Sequence, residues 1–499
     1  MKTASFLALL TLAFSSLACA ADLSARDPKE LSKSLKSAKP GDVIVMQDGE
    51  WKDMKIEFSV DGTLDQPITL RAQTPGKVRL TGASRLRVAG SHLIVDGLLF
   101  TDGGIAEGHV IQVQGKDGNP NTGCRITNCA VIDYNPPNIV LPTTQASTQS
   151  SAAPSQGPPP GTSHYLSLWG TNHRVDRCYF RGKQTNGPTL VVWVENQPND
   201  HQIDRNYFAH RPPLGRNGGE TMRIGTSDVS MKVSRAVVEQ NYFERCDGEA
   251  EIISNKSCEN VYRGNTFVES QGCLTLRHGN RATVDGNFFF GNGREGTGGI
   301  RVVGEDHKIF NNYLEGLAGR DFQSAMPFVN GIPNSKLNEY FRVQRAIVCF
   351  NTFVNCAQNI TFGIGHTGRN RIEEPWDVTL ANNLIVTNAA KTPLICVQDT
   401  SHPPTRLSLI GNILFGGATD LGELATSDPS LLKGANDLWL APAALTATDA
   451  GKFAFVKTDT LGRPLGGNPV VGAIQPSDAK STSRPLTPND VGPDWMRGR

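Results

Sequence analysis

Residues 241–314 read NYFERCDGEAEIISNKSCENVYRGNTFVESQGCLTLRHGNRATVDGNFFFGNGREGTGGIRVVGEDHKIFNNYL, and one short phrase returns within them. Each phrase is an asparagine, any residue and a large apolar residue, and the phrases begin at Asn241, Asn265, Asn287 and Asn312. The steps between them are 24, 22 and 25 residues. A period in the twenties that carries short strands and turn residues predicts a solenoid, in which each repeat buries its apolar face by stacking on its neighbours.

The phrase also occurs outside this stretch, which extends the repeat over most of the chain. Leucine-rich repeats share the period, but their L-x-x-L-x-L signature is missing. A parallel β-helix fits better, with three short strands in each coil, an asparagine ladder at a turn and large apolar side chains stacked inside. We therefore predict an all-β, single-domain parallel β-helix over residues 21–475. Further copies of the phrase begin at Asn206, Asn351 and Asn412, with weaker echoes at Asn128, Cys178 and Asn383.

Four segments depart from the repeat. Residues 28–40 have a helical spacing of apolar residues and predict a short helix that caps the N-terminal end of the stack. Residues 142–162 are rich in Ser, Thr, Pro and Gln and predict a disordered surface insert. One long step between asparagines predicts a loop around 321–339 that projects from the stack. The polar, Pro-rich residues 476–499 are expected to form a loosely attached tail.

The N-terminus has the pattern of a secretory signal peptide. Lys2 supplies the positive charge, residues 6–14 the apolar core and residues 18–20 an A-x-A cleavage site, so we assign residues 1–20 to the signal. Export to the periplasm or the medium follows. Cys19 also permits a lipoprotein, but Ser stands where a lipobox usually has Leu, so lipidation is the less favoured outcome. No later stretch has the roughly 18 uninterrupted apolar residues of a membrane helix.

Charge and cysteine content narrow the function. The chain has 49 basic and 48 acidic residues, and this near neutrality argues against a nucleic-acid partner, which usually leaves a basic footprint. A polyanionic substrate stays possible through local arginines. Nine of the ten cysteines follow residue 20. An odd count in a chain of this size need not be a disulfide framework, so we expect buried free thiols.

A pair of carboxylates is the first chemical signal. Glu249 and Glu251 stand at i, i+2, where a strand turns both side chains to one side. Asn217 and Glu220 lie about one coil earlier and add two oxygen donors. Ca2+ takes about six to eight oxygens, so these residues and water could hold it. An isolated E-x-E is more often an exposed strand face.

Three cations at the repeat spacing are the second signal. Lys256 and Arg277 are 21 residues apart, and Arg277 and Arg301 are 24 apart, so stacking would line them along one groove. Adjacent like charges are unfavourable without an anion, and this arrangement predicts a site for a negatively charged chain. Each residue alone has an ordinary reading: Lys256 as a solvated lysine, Arg277 as the partner of a glutamate and His278 as a hydrogen-bonded core histidine.

The segments NGGETMRIG, EAEIISNKS, ENVYRGNTF, LRHGN and GGIRVVGEDHKIFNNY, between residues 217 and 313, resemble polysaccharide lyase family 6. This family contains alginate lyases and chondroitinase-B-like dermatan sulfate lyases. The resemblance implies a right-handed parallel β-helix. It also implies cleavage of uronic-acid polymers by β-elimination, with Ca2+ bound to the substrate carboxylate.

The family's roles fall on matching positions here. The lysine base matches Lys256 and the arginine acid matches Arg277. A substrate-binding arginine matches Arg301, and a groove-lining residue matches His278. The metal ligands match Glu249 and Glu251, completed by Asn217 and Glu220.

We therefore expect a Ca2+-dependent lyase that acts on alginate and leaves 4,5-unsaturated uronate ends. Three alternatives stay open. Dermatan sulfate would call for extra basic residues to meet its sulfates. A non-catalytic β-helix that binds glycans would need neither the lysine nor the metal. A glycoside hydrolase would use paired acids, whereas here a lysine stands at the place of the base.

Overall fold

The computed structural model describes residues 21–137, 161–388, 392–422, 428–476 and 480–497. The predicted signal peptide (1–20) and nearly all of the predicted insert (142–162) lie outside these residues. In the described part, no helix is long and apolar enough to span a membrane.

Three parallel sheets run side by side, and each turn of the chain contributes one strand to each of them in the order A, B, C. Every third strand therefore joins the same sheet, which confirms the predicted all-β parallel β-helix. Sheet A contains Asp22–Ala25, Val43–Met46, Ile68–Ala72, Leu93–Asp96, Arg125–Thr127, Arg174–Asp176, Gln202–Asp204, Val237–Glu239, Val261–Arg263, Thr283–Asp285, Lys308–Phe310, Ile347–Cys349, Thr379–Ala381 and Ser408–Ile410.

Sheets B and C complete each coil. Sheet B contains Gly49–Lys52, Val78–Gly82, Leu99–Gly103, Ala130–Ile132, Tyr179–Arg181, Tyr207–Arg211, Tyr242–Cys246, Thr266–Val268, Phe288–Phe290, Tyr313–Glu315, Thr352–Val354, Leu384–Val386 and Ile413–Phe415. Sheet C contains Lys55–Phe58, Arg85–Val88, Gly108–Val113, Ser163–Leu168, Leu190–Val192, Met222–Ile224, Glu251–Lys256, Gly272–His278, Thr297–Val302, Met326–Val329, Ile360–Ile364 and Ile395–Val397.

The repeated asparagines form a continuous ladder at the turn between sheets A and B. In each step, the Oδ1 atom of one asparagine accepts hydrogen bonds from the backbone N and from the Nδ2 of the asparagine one coil earlier, at 2.9–3.0 Å. The ladder is buried, so its amide groups satisfy each other where water is excluded. Its members are Asn206, Asn241, Asn265, Asn287, Asn312, Asn351, Asn383 and Asn412.

Cysteines replace asparagine at the N-terminal end of this ladder. Cys178 occupies the ladder position one coil before Asn206. Its backbone N donates to Asn206 Oδ1 at 2.9 Å, and its thiol lies 3.4 Å from the carbonyl oxygen of Asp176. All nine cysteines of the described residues are free thiols, and eight are buried. The expectation of buried free thiols is confirmed.

Phenylalanines stack inside the coil directly after the asparagines. Five parallel rings follow one another with centroids 5.3, 4.9, 4.6 and 4.5 Å apart. Such rings bury large apolar areas, and stacking adds to that contribution. This phenylalanine ladder therefore fixes the register of the central coils, which carry the candidate site. Its members are Phe180, Phe208, Phe243, Phe267 and Phe289.

The N-terminal cap is the helix α1, Pro28–Ser37. Asp27 caps it by accepting hydrogen bonds from the backbone N of Lys29 and Glu30, and Leu31 and Leu35 are buried against the first coil. The cap confirms the prediction, although the strand Asp22–Ala25 before it was not anticipated.

The C-terminal region covers the outer face of sheet B. Residues 428–476 include an antiparallel pair, Leu432–Lys433 with Trp439–Leu440, and pack on the last coils. Residues 480–497 then run back towards the N-terminal end, where Trp495 Nε1 donates to the carbonyl oxygen of Asn128 at 2.9 Å. This differs from the loosely attached tail expected for 476–499, because Trp495 and Met496 pack against the outer face of sheet B. The short 3-10 turns are Ser227–Val229, Asp321–Gln323, Ala435–Asp437, Ala450–Phe453, Pro488–Asp490 and Asp494–Met496.

The loop predicted around 321–339 is shorter than expected. Met326–Val329 is a strand of sheet C, so the projecting loop is residues 330–342, which we call the 330–342 loop. The four residues of that strand are buried and pair with the next coil, which the long spacing between asparagines conceals. The loop bends over the outward face of sheet C.

Candidate active site

The predicted cations lie together on the outward face of sheet C. The strand Glu251–Lys256 pairs with Met222–Ile224 on one side and with Gly272–His278 on the other. Side chains alternate, so Ile253 and Leu274 enter the core, whereas the cations at 256, 277 and 301 face outwards. A register shift after residue 254 aligns Lys256 with His278 and leaves Arg277 beside them.

Glu251 is the centre of this group. Its Oε1 atom lies 3.5 Å from Arg301 Nη1 and 3.8 Å from Arg277 Nε, and its Oε2 accepts a hydrogen bond from Ser254 Oγ at 2.5 Å. Burial alone would raise the pKa of the Glu251 carboxyl, but the charges of Lys256, Arg277 and Arg301 outweigh it and lower the pKa. Glu251 is therefore an ionised carboxylate inside a cationic ring.

Glu249 lies in the turn before the strand and faces the preceding coil. Its Oε2 accepts hydrogen bonds from the backbone N of Gly218 at 2.9 Å and of Gly219 at 3.3 Å. Burial, followed by the charges of Glu220 and Glu251, raises the pKa of Glu249 well above its ordinary value. Glu220, Glu249 and Glu251 therefore repel one another, and a cation bound between them would reduce this repulsion.

Glu220 is 2% exposed, and its Oε2 atom is buried without a hydrogen-bond partner. Its Oε1 lies 3.9 Å from Arg223 Nη1. Asn217, in contrast, is exposed. In the part of the chain that the structure describes, no three His, Cys, Asp or Glu side chains converge closely enough to form a metal-binding group. The predicted ligands are thus neighbours, with an unpartnered oxygen among them, but not a closed shell.

Two buried cations support the turn that carries Glu220 and the turn one coil earlier. Arg211, 3% exposed, donates to the carbonyl oxygens of Glu220, of Gly218 at 3.3 Å and of Thr185 at 3.3 Å. Lys183, 1% exposed, donates to Thr185 O at 2.7 Å. Burial lowers the pKa of Arg211 to about 10. The carbonyls of this turn point inwards to Arg211, while the amides of 218 and 219 point to Glu249.

Arg277 is held by the 330–342 loop. Its Nη1 donates to the carbonyl oxygen of Glu339 at 2.7 Å, and its Nη2 lies 3.4 Å from that of Asn338. Its guanidinium carbon lies 3.9 Å from the ring centroid of Tyr340, a cation–π contact. The guanidinium is therefore oriented by the loop and by Glu251 together.

Arg301 faces outwards, as predicted, but its side chain is only 4% exposed. Its Nε donates to the carbonyl oxygen of Phe322 at 2.7 Å. Arg371, from a later turn, stacks on Tyr340 at 4.2 Å and on Phe322 at 5.4 Å. Arg301 therefore lies beneath a cluster of rings and guanidinium groups rather than on an open surface.

His278 is 1% exposed, so the interpretation of this residue as lining the groove needs correction. Its Nε2 lies 3.4 Å from Ser227 Oγ, and its ring meets Phe341 edge to face. Burial, followed by the charges of Arg277 and Lys256, lowers the pKa of His278 to about 2. The ring is therefore neutral and packs below the surface.

Lys256 is half-buried at the end of its strand. Within the described ranges, its ammonium group makes no hydrogen bond and no ion pair, whereas the arginines beside it are engaged. Lys256 is therefore the cation of this group that is available to a ligand.

Sequence reasoning missed several of these residues. Arg223 alternates with two apolar residues in Met222–Ile224, as Arg301 does in its strand, so the same signal could have found it. Tyr340 and Arg371 lie in turns of unequal length, where the repeat does not predict which side chains come into contact. The buried Lys183 and Arg211 carry no sequence signal, because charged residues are seldom buried.

Comparisons with known proteins identify the family. The family model for chondroitinase B matches residues 25–446. The PL6 family alginate lyase AlyGC is 36% identical, with a TM-score of 0.78, and the match covers 95% of this chain and 59% of AlyGC. This chain thus spans less than two thirds of the length of AlyGC. A search of curated proteins gave no match.

Two further solved structures are similar. A mannuronic acid specific polysaccharide family 6 lyase from human gut microbiota is 32% identical with a TM-score of 0.67, over 79% of this chain and 86% of that one. A PL6 family polysaccharide lyase from Pseudopedobacter saltans is 25% identical with a TM-score of 0.67, over 95% and 99%. The family model covers most of the chain, and the resemblance seen in the sequence is confirmed. The chain therefore belongs to polysaccharide lyase family 6, the family of chondroitinase B and of these three lyases.

Proposed function

We propose that this protein is an exported lyase that cleaves alginate by Ca2+-assisted β-elimination. The observation that carries the proposal is the placement of Lys256 and Arg277 on one face of sheet C, beside the ionised Glu251. A base and an acid next to a cationic surface suit a polymer of uronic acids. Residues 1–20 supply the export signal.

Lys256 and Arg277 would carry out the two proton transfers. Lys256 accepts the proton from C5 of the uronate on its Nζ atom, which makes no hydrogen bond and no ion pair in the described structure. The electron pair left on C5 forms the C4–C5 double bond as the C4–O bond breaks. Arg277, or a water that it polarises, donates a proton to the departing glycosidic oxygen. Arg301 would orient the chain by its charge.

The donor set around Glu220 supports a calcium site. Glu220 has a buried oxygen without a partner, and burial, followed by the charges of Glu220 and Glu251, raises the pKa of Glu249. Oxygen donors of this kind suit Ca2+, and Glu220, Glu249, Glu251 and Asn217 would hold it. When bound there, Ca2+ would neutralise the uronate carboxylate and so make the C5 proton easier to remove.

Alginate is favoured over dermatan sulfate for two reasons. The similar solved structures at 36% and 32% identity are described as alginate lyase and as mannuronic acid specific lyase. The near-neutral composition of the chain also offers no large excess of basic residues for sulfates. Dermatan sulfate stays the alternative substrate, because the matching family model is that of chondroitinase B.

One experiment tests the proposal. The purified protein is incubated with alginate and, separately, with dermatan sulfate, in the presence of Ca2+ or of a chelator, and the ultraviolet absorbance of the unsaturated product is followed. We expect product from alginate with Ca2+ and a large loss with chelator. Product from dermatan sulfate but not from alginate would show that dermatan sulfate is the substrate. Activity that a chelator leaves unchanged would show that the reaction does not depend on Ca2+. No product from either polymer would contradict the assignment as a lyase.

A further inference from the structure

Two tryptophans continue the row of Lys256 along the outward face of sheet C. Leu168, Val192, Ile224 and Asn255 pair across four successive strands, and the positions that follow them are Trp169, Trp193, Gly225 and Lys256. Backbone hydrogen bonds carry this alignment past the strand ends, since Trp193 N donates to Leu168 O at 2.8 Å. The tryptophans therefore lie in line with the candidate base, towards the N-terminal end of the stack.

The two indole rings are stacked and partly exposed. Their centroids are 5.2 Å apart and their planes differ by 12°. Both side chains are half-buried, unlike the phenylalanine ladder, whose rings fill the inside of the coil. Because the rings stack from one coil to the next, they turn their faces to each other and their edges to the groove. The edge of an aromatic ring is the positive end of its quadrupole, which suits an oxygen-rich anionic chain.

A guanidinium group connects this stack to the catalytic residues. The Arg223 guanidinium carbon lies 5.6 Å from the ring centroid of Trp193, and its side chain is 18% exposed. Arg223 belongs to the coil between those of Trp193 and Lys256. Gly225, in the same coil, places no side chain in the row. The groove therefore offers rings, then a positive charge, then the base, at successive coils.

We propose that Trp169 and Trp193 form a distal subsite that binds uronate units of the polymer away from the bond that is cleaved. Neighbouring strands are about 4.8 Å apart, so Trp193 lies roughly 10 Å and Trp169 roughly 14 Å from the coil of Lys256 along the groove. Each sugar unit of the polymer extends the chain by about the spacing between two neighbouring strands. A chain that runs along sheet C therefore meets the tryptophan stack two to three sugar units from Lys256. The inference rests on the proposed function, because it takes the ligand to be alginate.

The competing interpretation is that the stack only stabilises sheet C. The two interpretations differ in their dependence on chain length, because a short oligosaccharide at Lys256 does not reach the tryptophans. Binding of alginate dimers and hexamers is measured by calorimetry in a Lys256→Ala background, which prevents cleavage. The test variant adds Trp169→Ala and Trp193→Ala. The matched control adds Trp376→Ala, since Trp376 also stacks on an arginine but lies four coils beyond Lys256, towards the C-terminal end of the stack.

We expect the double tryptophan variant to bind the hexamer about tenfold more weakly, a change of about 1.4 kcal/mol, with unchanged dimer affinity. The Trp376 control should leave both affinities unchanged. Equal weakening for dimer and hexamer, or none for either, would overturn the subsite. If the Lys256→Ala protein with its tryptophans binds no alginate oligosaccharide, the proposed function fails as well. Should the alanine variant not fold, Trp169→Phe and Trp193→Phe keep the stack but shorten its edges, and the same dependence on length is required.

Discussion

Arg277 donates a hydrogen bond from Nη1 to the main-chain carbonyl oxygen of Glu339 at 2.7 Å, across 62 residues of sequence. The candidate acid is thus positioned by a loop that bends over sheet C from a later coil. Tyr340, the next residue, stacks on the same guanidinium. The 330–342 loop is therefore part of the site, although none of its residues was singled out by the repeat.

Replacing Arg277 by lysine keeps the charge but removes the planar fork that reaches the loop and the ring. We expect the Arg277→Lys rate to fall by roughly 10²–10⁴, the usual contribution of a positioned acid. The measurement is the initial rate of unsaturated product formation. Glu339→Gln is the control, because Arg277 contacts the main chain of Glu339. An Arg277→Lys rate within a few-fold of wild type would contradict the role.

The asparagine ladder gives a prediction for stability. Asn287 Oδ1 accepts hydrogen bonds from the backbone N and the Nδ2 of Asn265, both at 3.0 Å, and its Nδ2 donates to Tyr262 O at 3.0 Å. Asn287→Ala leaves these buried groups unpaired, which should cost about 3 kcal/mol of unfolding free energy in denaturant titration. The exposed Asn196→Ala should change it by less than about 0.5 kcal/mol. Similar values for both variants would mean that the ladder does not stabilise the stack.

Trp495 tests the attachment of the C-terminal segment. Its ring packs near Gly76 and its Nε1 donates to Asn128 O, on the outside of sheet B and away from the site. We expect Trp495→Ala to lower the unfolding free energy by about 2 kcal/mol, with lyase activity within twofold at room temperature. Thermal melts and initial rates measure the two effects. An unchanged melting temperature would restore the interpretation of a loose tail.

Buried histidines predict loss of stability in mild acid. Burial lowers the pKa of His173 to about 3 and that of His307 to about 4, and each Nδ1 accepts a backbone N–H, from Cys124 and Ala282 respectively. The charges acting on them are His92 for His173, and Asp306 and Arg281 for His307.

The sign follows from proton binding. Below about pH 6.5 these histidines become protonated in the unfolded chain but stay neutral in the folded protein, so the unfolding free energy falls as pH falls. Each histidine should remove about 2 kcal/mol at pH 5 relative to pH 7. Urea titrations at pH 7, 6 and 5 measure this slope. A free energy that is level over this range would contradict the assignment, since ordinary carboxylates still titrate lower.

The repeat made the fold predictable, because one asparagine and one aromatic residue recur at the same place in each coil. The same logic placed Lys256, Arg277 and Arg301 on one face. It failed for His278, where a register shift and two covering loops bury a side chain that spacing alone would expose.

The remaining residues of the site depend on features without a period. Tyr340 and Arg371 come from turns whose lengths vary between coils. Lys183 and Arg211 are buried because main-chain carbonyls of neighbouring turns surround them, and such carbonyls leave no trace in side-chain patterns. Trp169 and Trp193 follow strands in which every residue is buried, so no alternation marks the outward positions.

The most direct test of the central claim is the initial rate of Lys256→Ala on alginate with Ca2+, followed by absorbance of the unsaturated product. The control is Lys232→Ala, which removes an exposed lysine whose Nζ lies 3.3 Å from Asn196 Oδ1. We expect Lys256→Ala, shown to be folded by circular dichroism, to lose at least about 10³-fold in rate and Lys232→Ala to keep the wild-type rate. A Lys256→Ala rate close to wild type would contradict the assignment of Lys256 as the base.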